Sequence, residues 1–253
     1  MIYPGLVSIT FRELSPAEII GLAVKAGIKG IEWGGDVHVP HGDIKTAKEV
    51  LKMTKEANLT VAAYGSYYRI GCEQEKGLKF EQVLESAIEL ESPVIRVWAG
   101  DRGSTDADEK WWSRVIDESR RIGDLSAEHN IKIAYEYHKN TLTDSIDSVE
   151  RLLKQVNHNN IECYWQPLNE LDKNKKVKGL KNLIPYLSNI HVFHWDSNNR
   201  YTLEEGMKDW TTYFGIIKEA KGNHYAMLEF VKDNTPEQFL KDADTLKRLL
   251  SKI

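Results

Sequence analysis

The sequence predicts an α/β fold, a (β/α)8 TIM barrel formed by a single domain over residues 1–253. Three observations carry that expectation. Eight short apolar runs alternate with segments of helical spacing. Several runs, such as VIRVW and YAMLEF, are apolar at nearly every position, as parallel strands buried on both faces are. Eight β/α pairs in 253 residues is also the size and order of such a barrel. A doubly wound sheet is the competing architecture. It usually needs fewer strands and a glycine-rich phosphate loop, and neither GxGxxG nor GxxxxGK followed by Ser or Thr occurs.

In chain order, the first strand is expected at 6–10, and the first helix opens at SPAE. There Ser15 can cap, Pro16 suits the first helical position and Glu18 completes a capping box. Strands follow at 28–33 and 59–64, then a helix with the stripe Phe80, Val83, Leu84, Ala87 and Ile88. After the strand at 94–98, Trp112, Val115, Ile116, Ile122 and Leu125 mark the fourth helix. The strand at 131–137 leads to a helix marked by Ile146, Val149, Leu152, Leu153 and Val156. The sixth strand lies at 161–165. Its helix, within 170–186, has the weakest signal, because a basic run is mixed with Gly179 and Pro185. Strands at 190–195 and 225–230 flank a helix marked by Trp210, Tyr213, Phe214 and Ile217. The last helix has Thr235 and Gln238 as its capping box and Phe239, Leu240, Ala243, Leu246, Leu249 and Leu250 as its stripe.

Composition excludes several functions. A net charge of −4 with 28% charged residues gives no strong field for nucleic acid or an anionic membrane. Cys72 and Cys163 form no CxxC or Cys/His pattern, so a reducing cytoplasm is the expected location. The opening MIYPGLVSITF lacks the basic and apolar regions of a signal peptide. No apolar run approaches the roughly 18–20 residues of a spanning helix.

Barrel enzymes place their chemistry at the C-terminal ends of the strands. Those ends carry Glu32, Tyr64, Ser66, Arg96, Trp98, Glu136, His138, Gln166, His194 and Glu229. Taken singly, each has an ordinary explanation as a salt-bridge, cap or rim residue; His191, on the strand of His194, is taken to share its face. Together, Glu136, Gln166, His194 and Glu229 come from four consecutive strands and can converge. Two carboxylates, an imidazole and an amide oxygen suit Mn²⁺, Mg²⁺, Co²⁺ or Zn²⁺ and leave positions open for substrate. Such an ion would hold a sugar's carbonyl and adjacent hydroxyl oxygens, while two glutamates move protons through an enediolate. Return of the proton to the opposite face gives epimerisation. Its return to the adjacent carbon gives aldose–ketose isomerisation, and the residues allow either.

Around this set, His38 and His41 follow the second strand and can line the mouth. Trp33, Trp98, Trp165 and Trp195 can pack the core or form a platform for a sugar face. His138 can orient substrate or support a ligand. Arg96 can anchor an anionic substrate group or pair with Glu136, and a charge inside a barrel favours the pair. The run at 173–181 reads as a solvated helix face, and SYYRIG as a lid or a buried contact.

GIEWGGDVHVPHGD, YGSYYRIG, IRVWAG, YEYHKNTLTD, YWQP, HVFHWDSNNR and MLEFV, in this order, resemble the sugar phosphate isomerase/epimerase branch of the xylose-isomerase-like barrels. The likeness covers essentially the whole chain. It implies a metal-dependent sugar or sugar phosphate isomerase/epimerase, with Glu136 and Glu229 as both ligands and acid/base groups. It implies His194 as a ligand and Arg200, six residues on, as a substrate contact. The remaining substrate contacts expected are His138, Trp33, Arg96, Asn169 and His41. The related ketose 3-epimerases carry an Asp ligand after the sixth strand and a His three residues later, where this chain has Gln166 and Asn169. Gln ligates without charge, which weakens or retunes the site. The partner expected is a small sugar, with neither nucleic acid nor membrane, and the resemblance leaves a homo-oligomer open. Three other functions compete. An apurinic-site endonuclease would need more ligands and a basic groove. A metal-dependent lyase, such as a keto-inositol dehydratase, would start from the same proton abstraction. A catalytically silent sugar-binding barrel would not exchange that proton.

Overall fold

The computed structural model describes residues 1–169 and 171–253. Eight parallel strands close into a barrel in chain order. They are β1 Ile2–Val7, β2 Gly30–Gly34, β3 Thr60–Arg69, β4 Val94–Trp98, β5 Lys132–Tyr135, β6 Ile161–Trp165, β7 Leu187–Val192 and β8 His224–Leu228. Between them run α1 Pro16–Ala26, α2 Ile44–Glu56, α3 Phe80–Glu89, α4 Glu109–Ala127, α5 Ile146–Val156, α6 Lys173–Leu183, α7 Met207–Ile217 and α8 Pro236–Leu250. The TIM barrel expected from the sequence is the fold observed.

Local chemistry explains the helix starts. Ser15 accepts the Glu18 amide and Glu18 reaches back to the Ser15 amide, closing the expected box. Asp43, Asp108, Ser145, Asp172 and Thr235 cap α2, α4, α5, α6 and α8. Gly27 ends α1 in the left-handed region at φ 69°. In the sixth unit, Asp172 starts α6 and Pro185 falls in the 3-10 turn Ile184–Tyr186 beyond it. Glu170, at the head of that segment, lies outside the described residues.

Alternation along the strands divides the core into two layers. Ile31, Trp33, Ile95, Val97, Ile133, Tyr135, Cys163, Trp165, Ile190, Val192 and Leu228 pack outward in the layer between strands and helices. Val7, Val94, Ala134, Tyr164 and Met227 cluster inside the barrel. Two residues further along their strands, Arg96, Glu136, Gln166 and Glu229 therefore also point inward, at the C-terminal end. The inner layer thus turns from apolar to ionisable at the barrel mouth.

The strands that depart most from the sequence expectation are β1, β3 and β7. β1 stops at Val7, and Ser8–Phe11 forms a 3-10 turn. The Ser8 hydroxyl oxygen accepts the Gly34 amide at 2.9 Å and the Thr10 hydroxyl oxygen accepts the Phe230 amide at 3.0 Å, so side chains satisfy neighbouring backbone donors there. β3 runs on to Arg69. β7 begins and ends three residues early, because the chain after it folds back, with Trp195 bridging Arg200 in antiparallel fashion.

His38 is buried, with Nδ1 2.9 Å from the Ser8 hydroxyl and Nε2 3.2 Å from the Leu14 carbonyl. Burial pushes its pKa down despite that carbonyl. A lowered folded value means the unfolded chain binds the proton more readily. The stabilisation from neutral His38 is therefore complete above the unfolded value of about 6.5 and lost as pH falls through the folded one. The melting temperature is expected to fall with acidification below about pH 6.5, and His38→Gln to flatten that slope. Thermal melts across pH check it. Among the described residues no helix is long and apolar enough to cross a membrane.

Candidate metal and proton-transfer site

Four inward side chains meet at the mouth. His191 Nδ1 lies 2.8 Å from Gln166 Oε1, 3.5 Å from Glu229 Oε2 and 3.8 Å from Glu136 Oε1. One donor atom each from Glu136, His191 and Glu229 fit within 4.8 Å of one another, and all three residues are buried. Ligands roughly 2.1 Å from an octahedral cation stand about 3 Å apart along an edge and about 4 Å apart across it. The donor chemistry and spacing therefore fit a divalent cation. The 2.8 Å contact between Gln166 Oε1 and His191 Nδ1 is met by a proton on Nδ1 or by a cation bound to both, and an amide turned the other way would donate to Nδ1 instead.

The imidazole is that of His191, which corrects the expectation for His194. Residues three apart in a strand face opposite sides, so the two histidines do not share a face. β7 also ends at Val192, which leaves His194 in the returning loop. Its ring lies 5.4 Å from that of Tyr201 and against Gly206, where a Cβ would come within 2.7 Å.

Beneath the cluster lies a buried ion network. Arg96, 1% exposed, donates from Nε to Glu32 Oε1 at 2.7 Å and from Nη1 to Glu136 Oε2. The Glu32 bond spans β3 because Gly65 has no side chain. A Cβ there would sit 2.7 Å from Glu32 Oε1 and 2.8 Å from an Arg96 nitrogen. Arg96 thus pairs with Glu136, the alternative that its place inside the barrel favoured, and with Glu32.

The carboxylates are unequal. Burial alone would push Glu32 up, but Arg96 and His191 hold it down at about 2. Glu136 follows the same logic: burial raises it, and Arg96, with His191 and the Trp98 indole N–H donating to Oε2, leaves it lowered. Glu229 has no hydrogen bond from Arg96. Burial pushes its pKa up, His191 pulls it back, and the Glu136 charge adds to the rise. His191 is lowered by burial and raised more by Glu229, Glu32 and Glu136.

Residues 20–249 match the family model described as xylose isomerase-like TIM barrel. The chain belongs to that family. Among its relatives, the 3-dehydroshikimate dehydratase of Bacillus anthracis is 28% identical over 92% of this chain and 92% of its own. The solved structure of the probable 3-DHS dehydratase involved in petrobactin synthesis, also from Bacillus anthracis, matches with a TM-score of 0.83 at 24% identity, over 97% of this chain and 98% of that one. A D-psicose 3-epimerase from Clostridium cellulolyticum H10 matches with a TM-score of 0.74 at 14% identity, over 98% of both chains. Both structural matches are likenesses of fold.

The other contacts expected of this xylose isomerase-like barrel have separate surroundings. His138 stacks on Trp98, with centroids 4.6 Å apart, and its Nδ1 donates to the Lys139 carbonyl at 2.7 Å, which leaves Nε2 as an acceptor. Arg200 reaches the rim, where it packs over Trp195 and Phe230 and donates to Asn234 at 2.9 Å. Asn169 is half-buried, with its side-chain oxygen unpartnered. His41 Nδ1 lies 2.7 Å from the Tyr64 hydroxyl, which itself donates to the Val39 carbonyl. Trp33 is fully buried in the outer layer and is not a substrate platform, because alternation points it away from Glu32. Tyr67, in the SYYRIG stretch expected as a lid or a buried contact, lies in β3. It holds φ 57°, its ring faces the Arg96 guanidinium at 4.6 Å, and its buried hydroxyl has no partner.

If Gln166 is a ligand, Gln166→Asp adds a charge to the donor set. It is expected to tighten Mn²⁺ binding by about an order of magnitude in calorimetry. Unchanged affinity would place Gln166 outside the coordination shell.

Proposed function

We propose that this barrel is a metal-dependent lyase that removes water from a polyhydroxylated cyclic keto acid of the 3-dehydroshikimate kind. One observation carries the reading: Glu136 Oε2 accepts from both Arg96 and Trp98, which favours its charged form, while Glu229 is buried without a bond from Arg96, which favours its protonated form. An epimerase needs two groups that exchange protons, one on each face. Here only Glu229 is electrostatically suited to that work. The similarity to the 3-dehydroshikimate dehydratase supports the same choice of substrate.

A divalent cation held by Glu136, Gln166, His191 and Glu229 would polarise the ketone and stabilise charge developing on its oxygen. Beside that charge the Glu229 carboxylate is the resting form, and burial makes it an effective proton acceptor. Glu229 takes the proton α to the ketone, and the electron pair left behind forms the enolate. The C–O bond at the β-carbon then breaks, and the departing hydroxyl takes a proton from Glu229 to leave as water. His138 Nε2, the Tyr67 hydroxyl and the Asn169 side chain are among the polar groups that would hold substrate oxygens.

Sugar isomerisation or epimerisation is the second reading, supported by the ketose 3-epimerase likeness and the paired glutamates. It would require Glu136 to give up the bonds that keep it ionised. The test is to supply the protein with Mn²⁺, Mg²⁺, Co²⁺ or Zn²⁺ and 3-dehydroshikimate. Loss of water and enolisation yield an aromatic dihydroxybenzoate, visible as new ultraviolet absorbance. The expected result is metal-dependent aromatic product, abolished by chelator. Interconversion of ketoses or ketose phosphates without aromatic product would support the second reading, and neither reaction would leave a silent barrel.

A further inference from the structure

We infer that Glu32 is a positioning residue for the metal-ligating imidazole, accepting His191 Nε2–H and so turning the Nδ1 lone pair toward Glu136, Gln166 and Glu229. The inference rests on the metal reading above for its purpose, but on separate atoms for its evidence. Glu32 Oε2 and His191 Nε2 are both buried, both lack any hydrogen-bond partner, and stand 3.7 Å apart. Two orphaned polar atoms facing each other in a dry interior is a costly arrangement unless a proton joins them.

The rest of the network leaves Glu32 in place for this task. Its other oxygen is tied to Arg96 Nε at 2.7 Å, across the gap that Gly65 keeps open. On the other side of the imidazole, Nδ1 faces Gln166 Oε1 at 2.8 Å. If a neutral ring carried its proton on Nδ1, the Nε2 lone pair would point at a carboxylate oxygen. With the proton on Nε2, a small rotation closes the Glu32 contact, and Nδ1 is free to bind a cation alongside the Gln166 oxygen. A carboxylate behind a ligating histidine fixes the tautomer and raises the basicity of the ligand. β2 thus contributes to the site without touching the metal, through a residue whose sequence context shows only a strand-end glutamate.

The test uses Glu32→Gln, which keeps an oxygen for Arg96, and Asp36→Asn as a control that removes one negative charge near the mouth, where Asp36 pairs with Arg12. Two measurements are made: Mn²⁺ affinity by calorimetry, and the nitrogen-15 shifts of His191 in alkaline buffer, both metal-free and with Zn²⁺. Glu32→Gln is expected to raise the Mn²⁺ Kd about 10–100-fold, against less than about twofold for Asp36→Asn. In the wild type Nε2 carries the proton, and in Glu32→Gln it shifts toward Nδ1. Equal affinities in wild type and Glu32→Gln, or an Nδ1–H ring in the wild type, would overturn the inference. If the wild type binds no Mn²⁺, the metal reading falls and the tautomer comparison alone decides the role of Glu32. Should Glu32→Gln fail to fold, Glu32→Asp, with the same charge and a shorter reach, is expected to show the same tautomer shift.

Discussion

Glu229→Gln is expected to lower turnover by roughly 10²–10⁴-fold at saturating metal, the range for loss of a positioned acid/base group. Gln keeps the shape and an oxygen donor, so the fold and the cluster persist while the proton acceptor is gone. Burial is what gives Glu229 its proton affinity, and His191 and Glu136 stand beside it. Metal affinity should fall as well, since one charged donor becomes neutral. Measuring kcat against Mn²⁺ concentration separates the two effects: a loss that saturating metal restores would make Glu229 a ligand only.

Arg96→Met is expected to destabilise the fold by about 3–5 kcal/mol, because removing one partner of a buried ion network leaves the others uncompensated. Glu32 and Glu136 would remain inside the barrel without the guanidinium that holds both ionised. The pH dependence gives a sharper signature than the magnitude. In the wild type the Glu32 value is depressed to about 2, so its stabilisation is complete above the unfolded value and lost as pH falls through the folded one. Without Arg96, burial raises the folded value above the unfolded one. Stability from that group is then present below the unfolded value and lost as pH rises through the folded one. Urea unfolding across pH should show the variant gaining stability relative to wild type on mild acidification. A parallel loss in both proteins would mean that Arg96 does not set the charge state of Glu32.

The barrel itself was legible because its signals are local and repeat eight times. Caps such as Ser15 with Glu18, and the apolar runs 94–98 and 161–165, fix elements without tertiary help. The candidate site was legible at Glu136, Gln166 and Glu229, which lie just past strands placed nearly correctly. His194 was misread because the β7 boundary moved by three residues, and such a shift changes which side chains face inward. The parity of Asn189 and His191 held the signal, since both alternate with the outward Ile190 and Val192. Trp33 was misplaced by ignoring the same rule next to Glu32. The coupling of Glu32, Arg96 and Gly65 depends on neighbours across three strands, which no local pattern encodes.

The central claim is that Glu229 removes a proton α to a ketone at a metal-loaded cluster. Its most direct test is incubation in D₂O with 3-dehydroshikimate and each of Mn²⁺, Mg²⁺, Co²⁺ and Zn²⁺, with mass spectrometry of recovered substrate and product. At least one metal should give water loss or α-deuterium uptake roughly 10²-fold or more above Glu229→Gln. If no metal gives either, or if Glu229→Gln matches the wild type, the claim is contradicted.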